Sequence, residues 1–106
     1  MSLSPSATTP YDVYYVSGST AILAEDMGRA LLAQFPGIRF REEKIPFIHT
    51  PDDARRALNH ILQQSEGSKP LLFCTIMDQE TRDILNCPEV SFFDIFLNTL
   101  ELLEGS

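Results

Sequence analysis

The 106-residue sequence has no tryptophan, two cysteines, two histidines and eight lysine or arginine side chains against fifteen carboxylates. Each shortage excludes something. Cys74, inside the apolar run Leu71-Leu72-Phe73-Cys74, and Cys87, just before Pro88, do not make the disulfide framework of a small secreted domain and suit a reducing compartment. Cys74 reads as core packing and Cys87 as incidental. A formal charge of −7 repels the nucleic-acid backbone and anionic lipid alike, so neither is expected as a partner. No apolar run approaches the roughly 20 residues of a membrane span, and no secretory n-region precedes an apolar core. A cytoplasmic protein is expected. His49 and His60 each stand alone, without cysteine or carboxylate at metal-ligand spacing, so no metal is expected. Neither G-x-x-x-x-G-K-[ST] nor G-x-G-x-x-G occurs, which removes the usual phosphate cradle with its lysine.

What is present is enough for one domain. The chain is 43% apolar and near the commonest domain size, so it can bury a core without staples. Residues 1–10, rich in Ser, Thr and Pro, read as a disordered leader, and residues 11–104 as a single α/β domain. Strand-type and helix-type segments alternate: strands over Asp12–Val16, Ile38–Ile45, Pro70–Thr75 and Val90–Phe93, helices over Thr20–Phe35, Pro51–Ser65, Gln79–Asn86 and from about Ile95 to Leu103. Such alternation predicts a three-layer α/β fold of flavodoxin or Rossmann type, a parallel sheet of about four strands with helices on both faces. In the first helix, Ile22, Leu23, Met27, Ala30, Leu31 and Phe35 form an apolar stripe expected to lie on the sheet. The second helix opens with Thr50 as N-cap, Pro51 at the first helical position and Asp52-Asp53 in the first turn. Leu71–Thr75 is apolar without alternation, as for a central strand, whereas the charged second strand is expected at an edge.

Ligands of doubly wound sheets bind outside the carboxyl ends of the strands. At that rim Val13-Tyr14-Tyr15-Val16 stops at Ser17-Gly18-Ser19-Thr20, just before a helix. Amides at a helix start lack an intrahelical acceptor, so this turn can aim them, with its hydroxyls, at an anion. The simpler alternative is that Ser19 or Thr20 caps the helix. Ser17, Gly18, Ser19 and Thr20, with neighbouring Thr50 and Arg82, are the candidate phosphate site. Arg82 is also spaced to pair with Asp78, and Glu25 with Arg29. No residue is assigned a catalytic role: Ser17, His49 and Asp78 make a trio on paper, but the rim of any α/β domain supplies one by chance. The last helix carries more apolar side chains than one face needs, so Phe92, Phe93, Phe96, Leu100 and Leu103 are a candidate interface for a second domain or a second copy.

Several stretches together resemble the regulatory proteins of phosphoenolpyruvate synthase and of pyruvate, phosphate dikinase, a family of kinase–pyrophosphorylases. They are Tyr15-Val16-Ser17-Gly18-Ser19-Thr20-Ala21 with Ala24-Glu25 and Gly28, Gln34-Phe35-Pro36, Ile45-Pro46-Phe47-Ile48 with Thr50-Pro51, Phe73-Cys74-Thr75-Ile76-Met77-Asp78 with Arg82, and Phe93-Asp94-Ile95-Phe96 with Leu103-Glu104. The sequence departs from the family pattern at Gly18, where an acidic residue is usual, at Leu23, where threonine is, and at Leu102, where proline is. The resemblance implies that relatives phosphorylate a threonine of their target enzyme with ADP as donor and remove it by phosphorolysis, using a P-loop in a C-terminal domain. It implies that this chain is the non-catalytic N-terminal part, serving target recognition and domain packing. No cofactor is expected in it, and ADP or ATP only with the C-terminal domain. Its expected partners are that domain, a phosphoenolpyruvate synthase-type enzyme, and a second copy as a homodimer. The alternative is a stand-alone flavodoxin-like module that binds a small anionic ligand at the same rim.

Overall fold

Val13 to Val16 in the first strand are all buried, so this strand takes the middle of a sheet rather than an edge. In the computed structural model, which describes residues 10–65 and 67–95, the elements in order are β1 (Tyr11–Ser17), α1 (Ile22–Leu32), β2 (Phe40–Ile45), α2 (Pro51–Gln64), β3 (Leu71–Thr75), α3 (Gln79–Leu85) and β4 (Ser91–Asp94). Residues 1–9 of the expected leader and 96–103 of the expected last helix, with Phe96, Leu100 and Leu103, lie outside the described residues. All three strand pairings are parallel, in the order β2-β1-β3-β4. This is the α/β architecture that the alternation predicts.

The chain steps from β1 outward to β2, then back across β1 to β3 and on to β4. Because such crossovers are right-handed, the reversal puts α1 on one face and α2 with α3 on the other. The core divides accordingly. Val13, Tyr15 and Phe73 pack with Ala21 and Ala24 at the start of α1, while Tyr14, Val16, Leu72 and Cys74 pack with Ala54, Ala57 and Ile61 of α2 and Leu85 of α3. Burial pushes the Cys74 thiol up to about 12, which keeps it protonated and inert as a core residue.

α1 lies on the sheet by a different face from the one its large apolar residues predict. Its buried residues are Ala24 and Gly28, whereas Ile22, Leu23, Met27, Leu31 and Phe35 are all at least 36% exposed. The cause is the bulk beneath. Tyr15 and Phe73 stack with ring centres 5.7 Å apart, and a Cβ on Gly28 would stand 2.5 Å from the Tyr15 ring and 2.9 Å from that of Phe73. Only small residues fit between helix and rings. Along its other side α1 is tied to β2 by Arg29, which reaches Glu25 at 3.2 Å and Glu42 at 2.9 Å.

β2 is the edge strand and its charges are partnered. Arg41 donates to Asp12 at 2.7 Å, Glu42 accepts from the Tyr15 hydroxyl at 2.6 Å, and Glu43 lies 2.9 Å from Nε2 of His60 on α2. Both later helices are capped as the terminus physics requires. Thr50 and Asp53 form a reciprocal capping box on α2, with Pro51 at its start, and Asp78 caps α3 by accepting from the amide and hydroxyl of Thr81.

A candidate anion site at the rim of the sheet

β1 is followed by a connection to one side of the sheet and β3 by a connection to the other, so their carboxyl ends flank the point where the winding reverses. Ser17 ends β1, Thr75 ends β3, and the two are register partners. Alternation along each strand turns both side chains toward the α1 face, with Tyr15 and Phe73 below them. Ser17 is 2% exposed, and its Oγ accepts from the Ser19 amide at 3.0 Å. Thr75 is 7% exposed, and its buried hydroxyl has no hydrogen-bond partner among the described residues. Buried hydroxyls are normally paired, so this one is an exception among the described residues.

Next to it, α1 starts without a cap. Neither Ser19 nor Thr20 caps it, contrary to the simpler alternative. The N-cap is Ala21, held in the left-handed region at φ 68°, and no side chain accepts from the first turn. The first helical hydrogen bond runs from the Glu25 amide to the Ala21 carbonyl, so the amides of Ile22, Leu23 and Ala24 precede the ladder. The uncapped start of α1 thus follows the end of β1, and the unpartnered Thr75 hydroxyl stands at the end of the neighbouring β3. Thr75 was legible as a rim residue, but only register and burial single it out.

The loop is fastened from the β2–α2 connection. The Phe47 amide donates to the Ser19 carbonyl, the Ile48 amide to the Ser17 carbonyl, both at 2.9 Å, and His49 Nε2 donates to the Gly18 carbonyl at 2.8 Å. These contacts occupy carbonyls of the loop. Phe47, at φ 63°, takes a left-handed conformation that costs a non-glycine residue about 1–2 kcal/mol, so the connection is held in place by its surroundings.

Of the other site candidates, Thr50 uses its hydroxyl to accept from the Asp53 amide at 3.1 Å. Arg82 does not pair with Asp78; it donates to Asp94 at the end of β4, at 2.9 Å, because the Asp78 carboxylate is taken by the α3 cap. The trio of Ser17, His49 and Asp78 is not assembled as a relay: the histidine engages a backbone carbonyl and the aspartate a helix terminus. Two carboxylates near the rim are held below the usual range. The His49 amide, followed by that of Thr50, stabilises ionised Asp53, and the Thr81 hydroxyl and amide stabilise ionised Asp78.

A parallel sheet wound to both sides, with α1 on one face and α2 and α3 on the other, defines a three-layer α/β domain. The profile of the kinase/pyrophosphorylase family matches residues 13–106, and the chain belongs to that family. It is 46% identical over 93 residues to a protein of Desulfotalea psychrophila named "Putative phosphoenolpyruvate synthase regulatory protein", a match covering 88% of this chain and 34% of that one. Proteins of the same name from Pseudomonas putida and Neisseria gonorrhoeae are 40% and 34% identical, over 86% and 89% of this chain and 34% and 36% of theirs. The chain thus spans about a third of the length of these curated relatives. Among the described residues no helix is long and apolar enough to cross a membrane.

Proposed function

We propose that this chain is the N-terminal, non-catalytic domain of a phosphoenolpyruvate synthase regulatory protein, serving target recognition and packing against the remainder of that protein. The observation that carries this reading is the family match over residues 13–106 in a sequence that holds no G-x-x-x-x-G-K-[ST] loop and spans a third of its relatives. In this reading the protein is cytoplasmic, and ADP or ATP is bound only by the part beyond this chain. Its partners are that part, a phosphoenolpyruvate synthase-type enzyme, and a second copy as a homodimer.

The rim serves as a weak phosphate site. In this reading Ser17, Gly18, Ser19 and Thr20 frame it and the first amides of α1 and the Thr75 hydroxyl donate into it, with Thr50 and Arg82 as outer members that would have to leave Asp53 and Asp94 to join it. The orphaned Thr75 hydroxyl also favours a second reading, a stand-alone module for a small anionic ligand. The two differ in the chain's dependence on other protein. The domain reading is tested by incubating the chain with ADP and a phosphoenolpyruvate synthase-type enzyme. No phosphothreonine is expected from this chain alone, and its thermal stability is expected to rise when the remainder of the regulatory protein is added in trans. Appreciable phosphorylation by the chain alone overturns the reading. Stabilisation by a small anion, with none from the remainder, favours the module.

A further inference from the structure

The connection from α1 to β2 builds a wall beside the amino ends of the strands. The Phe35 amide donates to the Leu32 carbonyl at 3.0 Å and the Ile38 amide to the Phe35 carbonyl at 3.1 Å, so the chain turns tightly after α1 and returns to the sheet. The Tyr11 amide fastens it there by donating to the Arg39 carbonyl at 3.0 Å. This wall carries Leu32, Phe35 and Ile38. Opposite them Tyr11 and Phe40 are register partners on β1 and β2, with rings 6.2 Å apart, and Leu71 starts β3. Alternation puts Tyr11 and Leu71 on the α1 face, in line with Tyr15 and Phe73. These side chains line a cavity of about 410 Å³, within the range of about 300–1,000 Å³ that small-molecule pockets occupy.

The lining is apolar and reaches solvent. Tyr11, Phe35 and Ile38 are 43%, 53% and 41% exposed, three large side chains gathered at one place rather than scattered. A hollow of about 520 Å³ between the starts of α2 and α3 differs in kind, because Arg55, Gln79, Glu80 and Asp83 line it. One charged side chain lines the apolar cavity, that of Lys69. Fifteen carboxylates compete for eight lysine and arginine side chains, so a cation left over is the exception. Arg29, Arg41, Lys44, Arg55, Arg56 and Arg82 each pair with a carboxylate, and Arg39 is engaged as well. Lys69 is exposed and has no ion-pair or hydrogen-bond partner among the described residues.

We propose that this cavity binds a small monocarboxylate with an apolar body, the body lying between the α1–β2 wall and Tyr11, Phe40 and Leu71, and the carboxylate meeting Lys69. Charge complementarity selects the head group and the lining selects the body. The site is separate from the rim, since Tyr11 and Leu71 begin the two strands that Ser17 and Thr75 end. It stands whether or not the chain works as part of a longer regulatory protein.

The test titrates octanoate into the isotope-labelled 106-residue chain. Saturable shifts are expected at the amides of Tyr11, Phe35, Ile38, Leu71 and Ser91, with each methylene from butanoate to octanoate tightening binding about two- to fourfold. Acetate, which has the charge without the body, is expected to leave these amides still. Octanol, which has the body without the charge, is expected to bind about fivefold more weakly than octanoate. Lys69→Gln should remove that preference for the carboxylate. Ile38→Asp, at an exposed loop position, should abolish octanoate binding while the other amide resonances keep their places. Absence of saturable shifts at the cavity, or an affinity independent of chain length, overturns the proposal. Equal binding of octanoate and octanol, or an unchanged octanoate affinity in Lys69→Gln, overturns it as well, because the cavity would then have no carboxylate site. Shifts confined to residues 17–24 and Thr75 would place the anion at the rim and overturn it equally.

Discussion

Thr75 stands opposite Ser17 in the β1–β3 ladder, and of these two hydroxyls at the switch point one is engaged by the loop and the other has no partner among the described residues. A buried donor left unpaired costs about 1–3 kcal/mol, and a ligand oxygen would offset that cost. If the proposed phosphate site is right, the rim trades stability for binding.

Thr75→Val keeps the shape and removes the orphan. The unfolding free energy is expected to rise by about 1 kcal/mol, and the affinity for inorganic phosphate to fall about tenfold, since a hydrogen bond to a charged group contributes about 1.5–3 kcal/mol. Chemical denaturation and a phosphate titration of the same variant check the two together. A loss of stability with unchanged binding would mean that the hydroxyl serves the fold.

His49 holds the Gly18 carbonyl at 2.8 Å from a neighbouring connection and so fixes the loop that follows β1. His49→Ala is expected to cost about 1 kcal/mol of stability and to weaken phosphate binding severalfold. His49→Gln, which retains a donor, should recover part of both. Equal binding by all three proteins would remove His49 from the account.

Gly28 passes over the Tyr15 and Phe73 rings with no room for a methyl group. Alanine normally favours a helix over glycine by about 0.5–1 kcal/mol, but here overpacking of about 1–3 kcal/mol opposes it. Gly28→Ala is expected to lower the denaturation midpoint. A more stable variant would show that α1 sits further from the sheet.

Three carboxylates make the fold sensitive to acid. Burial alone would raise Glu42, but the hydrogen bonds from Tyr15 and Arg29 outweigh it and hold the group below its ordinary 4.5, while Asp53 and Asp78 are held below 3.8 by the His49 amide and the Thr81 hydroxyl respectively. Groups depressed in the folded state bind protons more readily when unfolded, so their contribution is complete above about pH 4.5 and is lost as the pH falls through their folded values. Denaturation midpoints should be level from pH 7 to 5 and decline toward pH 3, less steeply in Glu42→Gln. A midpoint that rises with acid would contradict the assignment.

The local signals were the legible ones. Thr50, Pro51 and Asp53 specify the start of α2 within four residues, and the charges of residues 41–44 mark β2 as an edge strand. What failed were choices settled by distant parts of the chain. The spacing of Ile22, Leu23, Met27 and Leu31 gives α1 its period but not its buried side, because the Tyr15 and Phe73 rings admit only Ala24 and Gly28. Arg82 finds Asp94 twelve residues on instead of Asp78, whose carboxylate the Thr81 amide and hydroxyl already hold. At the rim, Ser17 to Thr20 announced the loop, while the left-handed Ala21 and the unpartnered Thr75 emerge only when β1 and β3 are paired.

The claim that the β1–β3 rim of this family domain is an anion site is tested most directly by titrating inorganic phosphate into the isotope-labelled chain and following its backbone amides. The account expects saturable shifts confined to residues 17–24 and Thr75, with a midpoint about tenfold higher in Thr75→Val. Amides of Gly18 to Ala24 that stay still while phosphate reaches saturating concentration, or shifts that appear elsewhere, would contradict it.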